Sequence, residues 1–196
     1  MSALESRVAA RLHLNAHLRG LRELTRAVER LDSWGERLAA TLLAGGRLLT
    51  AGNGGSAAEA EHLAAELVGR YRRSRRPLSA IALTADGRSL SAIANDFGWS
   101  QCMARQVLAH GREGDVLIAL STSGESANVL EAVRAASQAG MATWALSGPA
   151  PNPLHGLCDE ALAFPGSTPA VQEMHLLAIH LLCEVVDEEV TRIDGL

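Results

Sequence analysis

His62 and Glu66 lie four residues apart, immediately behind the turn Gly52-Asn53-Gly54-Gly55-Ser56. On a helix, residues at that spacing share one face. Glycines let backbone approach a ligand closely, and a helix N-terminus offers unpaired N–H groups to an anion. An imidazole and a carboxylate just behind such a turn suit proton transfer or metal ligation. The pair by itself reads equally well as a solvent-facing ion pair. A second segment tilts the balance. Ser121-Thr122-Ser123-Gly124-Glu125-Ser126 follows an apolar run and opens a helix. One hydroxyl would be enough for an N-cap, whereas four with a glycine make a phosphate cradle. A third segment places Gln172, Glu173, His175 and His180 among leucines and isoleucine, where buried polar groups need partners. Between these lies Asn95-Asp96, a polar pair in an apolar stretch, suited either to capping a helix or to holding sugar hydroxyls.

Positioning such residues takes strands that end in turns and helices that begin there. Strands are predicted at Arg47–Ala51, Ser79–Leu83, Val116–Leu120, Ala142–Leu146 and Glu160–Phe164. Helical patterns fall at Ala57–Arg70, roughly Gly87–Ala94, Gln101–Ala109, Ala127–Ala139 and Ala170–Thr191. From Ser2 to about Leu43 the pattern predicts two helices, broken near Asp32-Ser33-Trp34-Gly35 and stopped by Gly45-Gly46. The alternation predicts an α/β fold: a doubly wound, mainly parallel five-stranded sheet with helices on both faces, preceded by two N-terminal helices. In such a sheet, ligands bind outside the carboxyl ends of the strands, so the glycine turn and the hydroxyl loop can share a crevice. The reading is one domain over 1–196, with a helical pair at 1–45 and the α/β core at 46–196. The basic run Arg70–Arg76 reads as a solvated loop, with Arg70 a candidate phosphate contact.

Composition narrows the chemistry. All 18 basic residues are arginine, which removes lysine Schiff bases and the lysine of a nucleotide-binding P-loop. A net charge of −4 and 3% aromatic residues argue against nucleic acid as a partner. No apolar run is expected to cross a bilayer, so no membrane partner is expected. Three scattered cysteines without a Cys-x-x-Cys pair fit a reducing cytoplasm.

The segments GNGGSAAEAEHLAAEL, AIANDFG, GREGDVLIALSTSGESANVLEA and VQEMHLLAIH, in that order, resemble sugar isomerase (SIS) domain proteins. More narrowly, they resemble the phosphoheptose isomerases, which interconvert sedoheptulose 7-phosphate and D-glycero-D-manno-heptose 7-phosphate. The resemblance implies a flavodoxin-like SIS fold and a sugar site at Asn53, Gly54, Gly55, Ser56, Asn95 and Asp96. It implies a phosphate site at Ser121, Thr122, Ser123 and Ser126. His62, Glu66, Gln172 and His180 match the family's zinc-binding positions, with Glu66 and Gln172 also at the substrate and Glu66 and His180 as the catalytic acid–base pair. A homotetramer with active sites at subunit interfaces is implied too. Gln172 and His180, about 12 Å apart along an ideal helix, then either lean towards one zinc or serve sites in different subunits.

Two segments depart from the family pattern. Ser147–Pro153 replaces a glycine-rich connection, and Pro165–Ala170 lacks a basic residue expected before Gln172. Other readings are a non-catalytic SIS-domain protein binding the replication initiator, an isomerase of another sugar phosphate, and a dinucleotide-binding oxidoreductase through Gly52-x-Gly54-x-x-Ala57.

Overall fold

The five apolar runs form one parallel sheet in the order β2-β1-β3-β4-β5, with β1 at Leu48–Ala51, β2 at Ala80–Ala82, β3 at Val116–Ser121, β4 at Ala142–Ser147 and β5 at Glu160–Ala163. The computed structural model describes residues 3–195. Met1, Ser2 and Leu196, the ends of the predicted helical pair and of the 1–196 span, lie outside them. Alternation along the strands feeds two cores. Leu48, Val116, Ile118, Leu120, Trp144 and Leu146 pack on one face, and Leu49, Ala51, Leu117, Ala119 and Ala145 on the other. The first face is covered by α2 (Val28–Leu43), α3 (Gly55–Val68) and α8 (Thr168–Asp194). The second is covered by α5 (Ala104–His110), α6 (Ala127–Gln138) and α7 (Pro153–Leu157). Burial of both faces explains why the strands read as short continuous apolar runs.

Three readings need correction. The N-terminal helices α1 (Ala3–Arg26) and α2 meet at Ala27, and α2 runs straight through Trp34-Gly35. Gly35 is there for close approach, since a Cβ would overlap the Val185 side chain of α8, while Trp34 stacks on Trp144 with centroids 5.0 Å apart. Helix α4 (Gly87–Phe97) extends past Ala94 and takes in Asn95-Asp96. A 3-10 turn at Trp99–Gln101 and the short α7 were not anticipated. Helix α8 does have the length and mean hydropathy to cross a membrane, although half of its most apolar window is buried. It packs against α2, α1 and α3 as the central core helix of its layer.

Candidate functional site

Strands β1 and β3 are neighbours, and the chain leaves β1 towards β2 but leaves β3 towards β4. Their carboxyl ends therefore mark the point where winding reverses and a crevice opens. A cavity of about 300 Å³ sits there, lined by Asn53, Gly54, Gly55, Ser56, Leu120, Ser121, Thr122, Ser123, Ser126, Thr168 and Gln172. Both sequence-predicted loops thus meet in one place, joined by Gln172. Three helices begin at this cavity: α3 at Gly55, α6 after Ser126 and α8 at Thr168. Their free N–H groups and dipoles favour a bound anion. No arginine is among the lining residues, so hydroxyls and helix ends supply the positive potential.

Gly54 takes φ +55°, a conformation that admits glycine and turns the chain into α3. In the second loop, Ser121 Oγ accepts from the Gly124 N–H at 3.1 Å and lies 3.4 Å from Ser126 Oγ. Ser126 stands at the N-cap of α6 yet makes no side-chain capping bond, which leaves its hydroxyl for a ligand. Behind the loop, Gly148 lies against the Thr122 backbone, and Asn152 fills the space a Cβ on Gly124 would need. Asn152 bonds Ser147 Oγ and the carbonyls of Gly148 and Pro149, each at 3.2 Å. The unusual Ser147–Pro153 segment is thus a buttress for the hydroxyl loop. Asn53 and Asn128 exchange two amide hydrogen bonds of 2.8 Å and tie the two loops together.

Helices α3 and α8 run side by side in the same direction. The order of facing pairs shows it: Gly55 against the Gln172 amide, Glu59 against His175, then His62 against His180. His62 Nε2 is 3.1 Å from His180 Nε2 and 3.4 Å from Glu66 Oε1. His62, Glu66 and His180 are therefore brought together, whereas Gln172 belongs to the cavity end of the seam. The gap along α3 from Gly55 to His62 is seven residues, about 10 Å of rise. Between the two ends, His175 is fully buried beside Phe164, with its Nδ1 3.6 Å from Glu59 Oε2 and both ring nitrogens unbonded.

The basic run is a clasp rather than a solvated loop. Arg75 and Asp187 pair at 2.6 Å with side chains 0% and 1% exposed. Arg75 also donates to the carbonyls of Glu66 and Leu67, at 2.9 and 3.0 Å. The backbone N–H groups of Arg72 and Arg73 donate to Asp187 at 2.8 and 2.9 Å. Arg72, Arg73 and Arg76 pair with Glu184, Glu188 and Asp194 of α8. Arg70 is exposed and donates to the Arg72 carbonyl, away from the cavity. Tyr71 stacks on His180 with centroids 5.6 Å apart and walls its ring. Burial alone would raise the Asp187 carboxyl, but the Arg73 and Arg72 N–H groups and the Arg75 guanidinium outweigh it and hold the carboxyl below its ordinary value.

Asn95 and Asp96 stand apart. They are exposed on α4, Asn95 donates to Asp96 at 2.9 Å, and neither lines the cavity. The reading of the sequence missed Thr168, Asn128, Tyr71 and Arg75. An asparagine two residues past the hydroxyl loop and the single tyrosine of the chain were the available signals for two of them. Cysteine chemistry is remote, since burial pushes the Cys158 thiol up to about 12 and raises Cys183 as well.

Comparison with known proteins places the chain in a family. The SIS domain family model matches residues 14–148. The phosphoheptose isomerase of Streptomyces coelicolor is 61% identical over 160 residues, covering 81% of this chain and 69% of that protein. A phosphoheptose isomerase of Campylobacter jejuni is 51% identical over 155 residues, covering 79% and 83%. Among solved structures, phosphoheptose isomerase GmhA from Neisseria gonorrhoeae superposes with a TM-score of 0.84 at 39% identity, over 95% of this chain and 100% of that one. A phosphoheptose isomerase from Francisella tularensis gives 0.86 at 32% identity, over 96% and 100%.

Proposed function

The chain belongs to the SIS-domain phosphoheptose isomerases, which are aldose–ketose isomerases, and from that membership we propose that it converts sedoheptulose 7-phosphate to D-glycero-D-manno-heptose 7-phosphate. The observation that carries this reading is the layout of the α3–α8 seam. An anion cavity built from three helix N-termini lies at one end, and His62, Glu66 and His180 cluster about two helical turns further on. In a seven-carbon ketose phosphate, the reacting carbons and the phosphate sit at opposite ends of the chain, as this layout requires.

Ser121, Thr122, Ser123 and Ser126, with the N-termini of α6 and α8, hold the phosphate. Asn53, Gly54, Gly55, Ser56 and Gln172 hold the sugar chain leading away from it. Isomerisation moves a proton between C1 and C2 through an enediolate, which takes a base, an acid and a stabiliser of the oxyanion. Glu66 and His180 share the two transfers. Arg75 fixes the Glu66 backbone and Tyr71 steadies the His180 ring, so both groups keep their orientation between turnovers.

The donor types suit zinc. Two ligands at about 2.0–2.1 Å from a tetrahedral ion lie roughly 3.3 Å apart, close to the 3.1 and 3.4 Å separations of His180 Nε2 and Glu66 Oε1 from His62 Nε2, whereas Glu66 and His180 stand wider than 4.8 Å and would have to draw together around an ion. His62, Glu66 and His180 would hold the ion, which when bound supplies a Lewis acid for the carbonyl oxygen. Gln172, at the far end of the seam, would reach such an ion only from a neighbouring subunit.

Exposed Leu12, Leu14, Leu18 and Leu21 on α1, and Phe97 and Trp99 around the end of α4, give the chain apolar surface to bury in a homotetramer. Cytoplasmic localisation fits the three free thiols.

The test is a panel of ketose phosphates incubated with the protein, with and without chelator, and product identification. Conversion of sedoheptulose 7-phosphate that chelator abolishes and zinc restores is the expected result. Turnover confined to another sugar phosphate would overturn the substrate, and chelator-resistant turnover would overturn the zinc.

A further inference from the structure

We propose that His13, His17 and Glu173 form a second metal site that takes a zinc-class divalent ion and staples α1 to α8. It is distinct from the His62–Glu66–His180 cluster and does not depend on the function proposed above. His13 and His17 are four residues apart on α1 and so share a face, with ring centroids 4.5 Å apart. Glu173 reaches them from α8. One candidate ligand atom from each of the three lies within 4.8 Å of the others. Both imidazoles address the same carboxylate oxygen: His13 Nε2 is 3.4 Å from Glu173 Oε2, and His17 Nε2 contacts it directly.

The hydrogen-bond pattern around His17 suits a ligating ring. His17 Nδ1 lies 2.9 Å from the His13 carbonyl oxygen. A carbonyl only accepts, so Nδ1 carries the proton, and in the neutral ring Nε2 carries the lone pair. That lone pair faces a carboxylate oxygen, which has only lone pairs of its own. The arrangement is repulsive unless a further proton stands between them, as in an imidazolium–carboxylate pair, or the carboxylate swings back to admit a metal ion. A hydrogen bond from Nδ1–H to a backbone carbonyl is the usual support of a histidine that ligates through Nε2. Two imidazole nitrogens and one carboxylate oxygen match zinc and its first-row neighbours rather than magnesium or calcium, which take oxygen ligands. Three protein ligands leave a fourth position for water. The side chains are 41%, 22% and 51% exposed for His13, His17 and Glu173, so an ion can enter from solution.

The staple has a place in the enzyme. Glu173 adjoins Gln172, and His17, Glu173 and His180 line one groove of about 440 Å³ along α8. An ion there would fix the α1 edge of that groove.

The experiment uses the full-length protein, stripped of metal and dialysed against a fixed free zinc concentration, with bound zinc per chain measured by elemental analysis. Variants are His13→Asn/His17→Asn, Glu173→Gln and His62→Asn/His180→Asn, each checked for an unchanged metal-free circular dichroism spectrum. We expect His13→Asn/His17→Asn and Glu173→Gln to hold one zinc fewer per chain than the parent. His62→Asn/His180→Asn should keep that ion and still gain melting temperature on adding zinc, because ligand binding to the folded state raises stability. Combining the two double variants should remove that gain. If the His13→Asn/His17→Asn protein binds as much zinc as the parent, the second site does not exist. If the seam cluster binds no zinc, the parent holds one ion and His13→Asn/His17→Asn none, so failure of the earlier zinc assignment is read separately.

Discussion

His62 Nε2 and His180 Nε2 stand 3.1 Å apart across the α3–α8 seam, on two helices that both begin at the anion cavity. Only one of these nitrogens can donate to the other, so one ring supplies the N–H and the other's lone pair accepts it. Glu66 joins them from one turn along α3, which places a carboxylate and an imidazole at the same end of a bound sugar. Glu66→Gln removes the basic oxygen and His180→Asn removes the second proton carrier, each with little change in volume. We expect either substitution to lower kcat about 10²–10⁴-fold while changing KM far less. Steady-state kinetics on sedoheptulose 7-phosphate measure both constants, and near-normal turnover in both variants would refute the assignment.

Ser126 separates a phosphate role from a capping role. Its hydroxyl makes no capping bond, so Ser126→Ala should leave the melting temperature nearly unchanged, unlike an ordinary N-cap deletion. A hydrogen bond to a charged group contributes about 1.5–3 kcal/mol, so affinity for inorganic phosphate should fall roughly 10–100-fold. Calorimetric titration of phosphate, run beside a thermal melt, reads both quantities. A large loss of stability with unchanged phosphate affinity would make Ser126 a cap.

Gly55 is the contact through which Gln172 enters the cavity. A Cβ at this position would overlap the Gln172 side-chain amide. The amide is the far end of a flexible side chain, so Gly55→Ala should displace Gln172 rather than unfold the protein. We expect kcat/KM to fall about tenfold to a hundredfold through misplacement of the substrate. Gln172→Ala should reproduce that loss, and the double variant should add little to either, since both act through one side chain. Additive losses would mean that Gly55 acts independently of Gln172.

What the sequence made legible follows from which signals are local. The strands show as apolar runs because both sheet faces are covered, and the two loops show because glycines and hydroxyls gather at strand ends. Gly35 misled, because a glycine kept for close approach to Val185 looks the same in sequence as one kept for a turn. The arginine run misled likewise. Its partners Glu184, Asp187, Glu188 and Asp194 lie more than a hundred residues away, so nothing local distinguishes a clasp from a solvated loop. Thr168 joins the cavity only because α8 begins where α3 and α6 begin, a relation set by the strand order. The separation of Gln172 from His180 is readable from helix rise, but which of them meets His62 depends on the alignment of α3 with α8.

The Arg75–Asp187 pair should make both stability and site geometry sensitive to acid. Asp187 has its carboxyl held below the ordinary aspartate value of about 3.9 by the Arg73 and Arg72 N–H groups and by Arg75, against the upward push of burial. A carboxylate depressed in the folded state stabilises it fully above the unfolded value. That contribution is lost as pH falls from about 4 through the folded value, where proton uptake favours unfolding. Asp187→Asn removes the charge and leaves Arg75 buried without its counter-ion, which costs about 3–5 kcal/mol. Arg75 also holds the Glu66 and Leu67 carbonyls, so the same variant should lose activity before it unfolds. Urea midpoints measured across pH 2.5–6 should fall steeply below about pH 4 in the parent and more gently in Asp187→Asn. Parallel curves for the two proteins would show that the titrating group lies elsewhere.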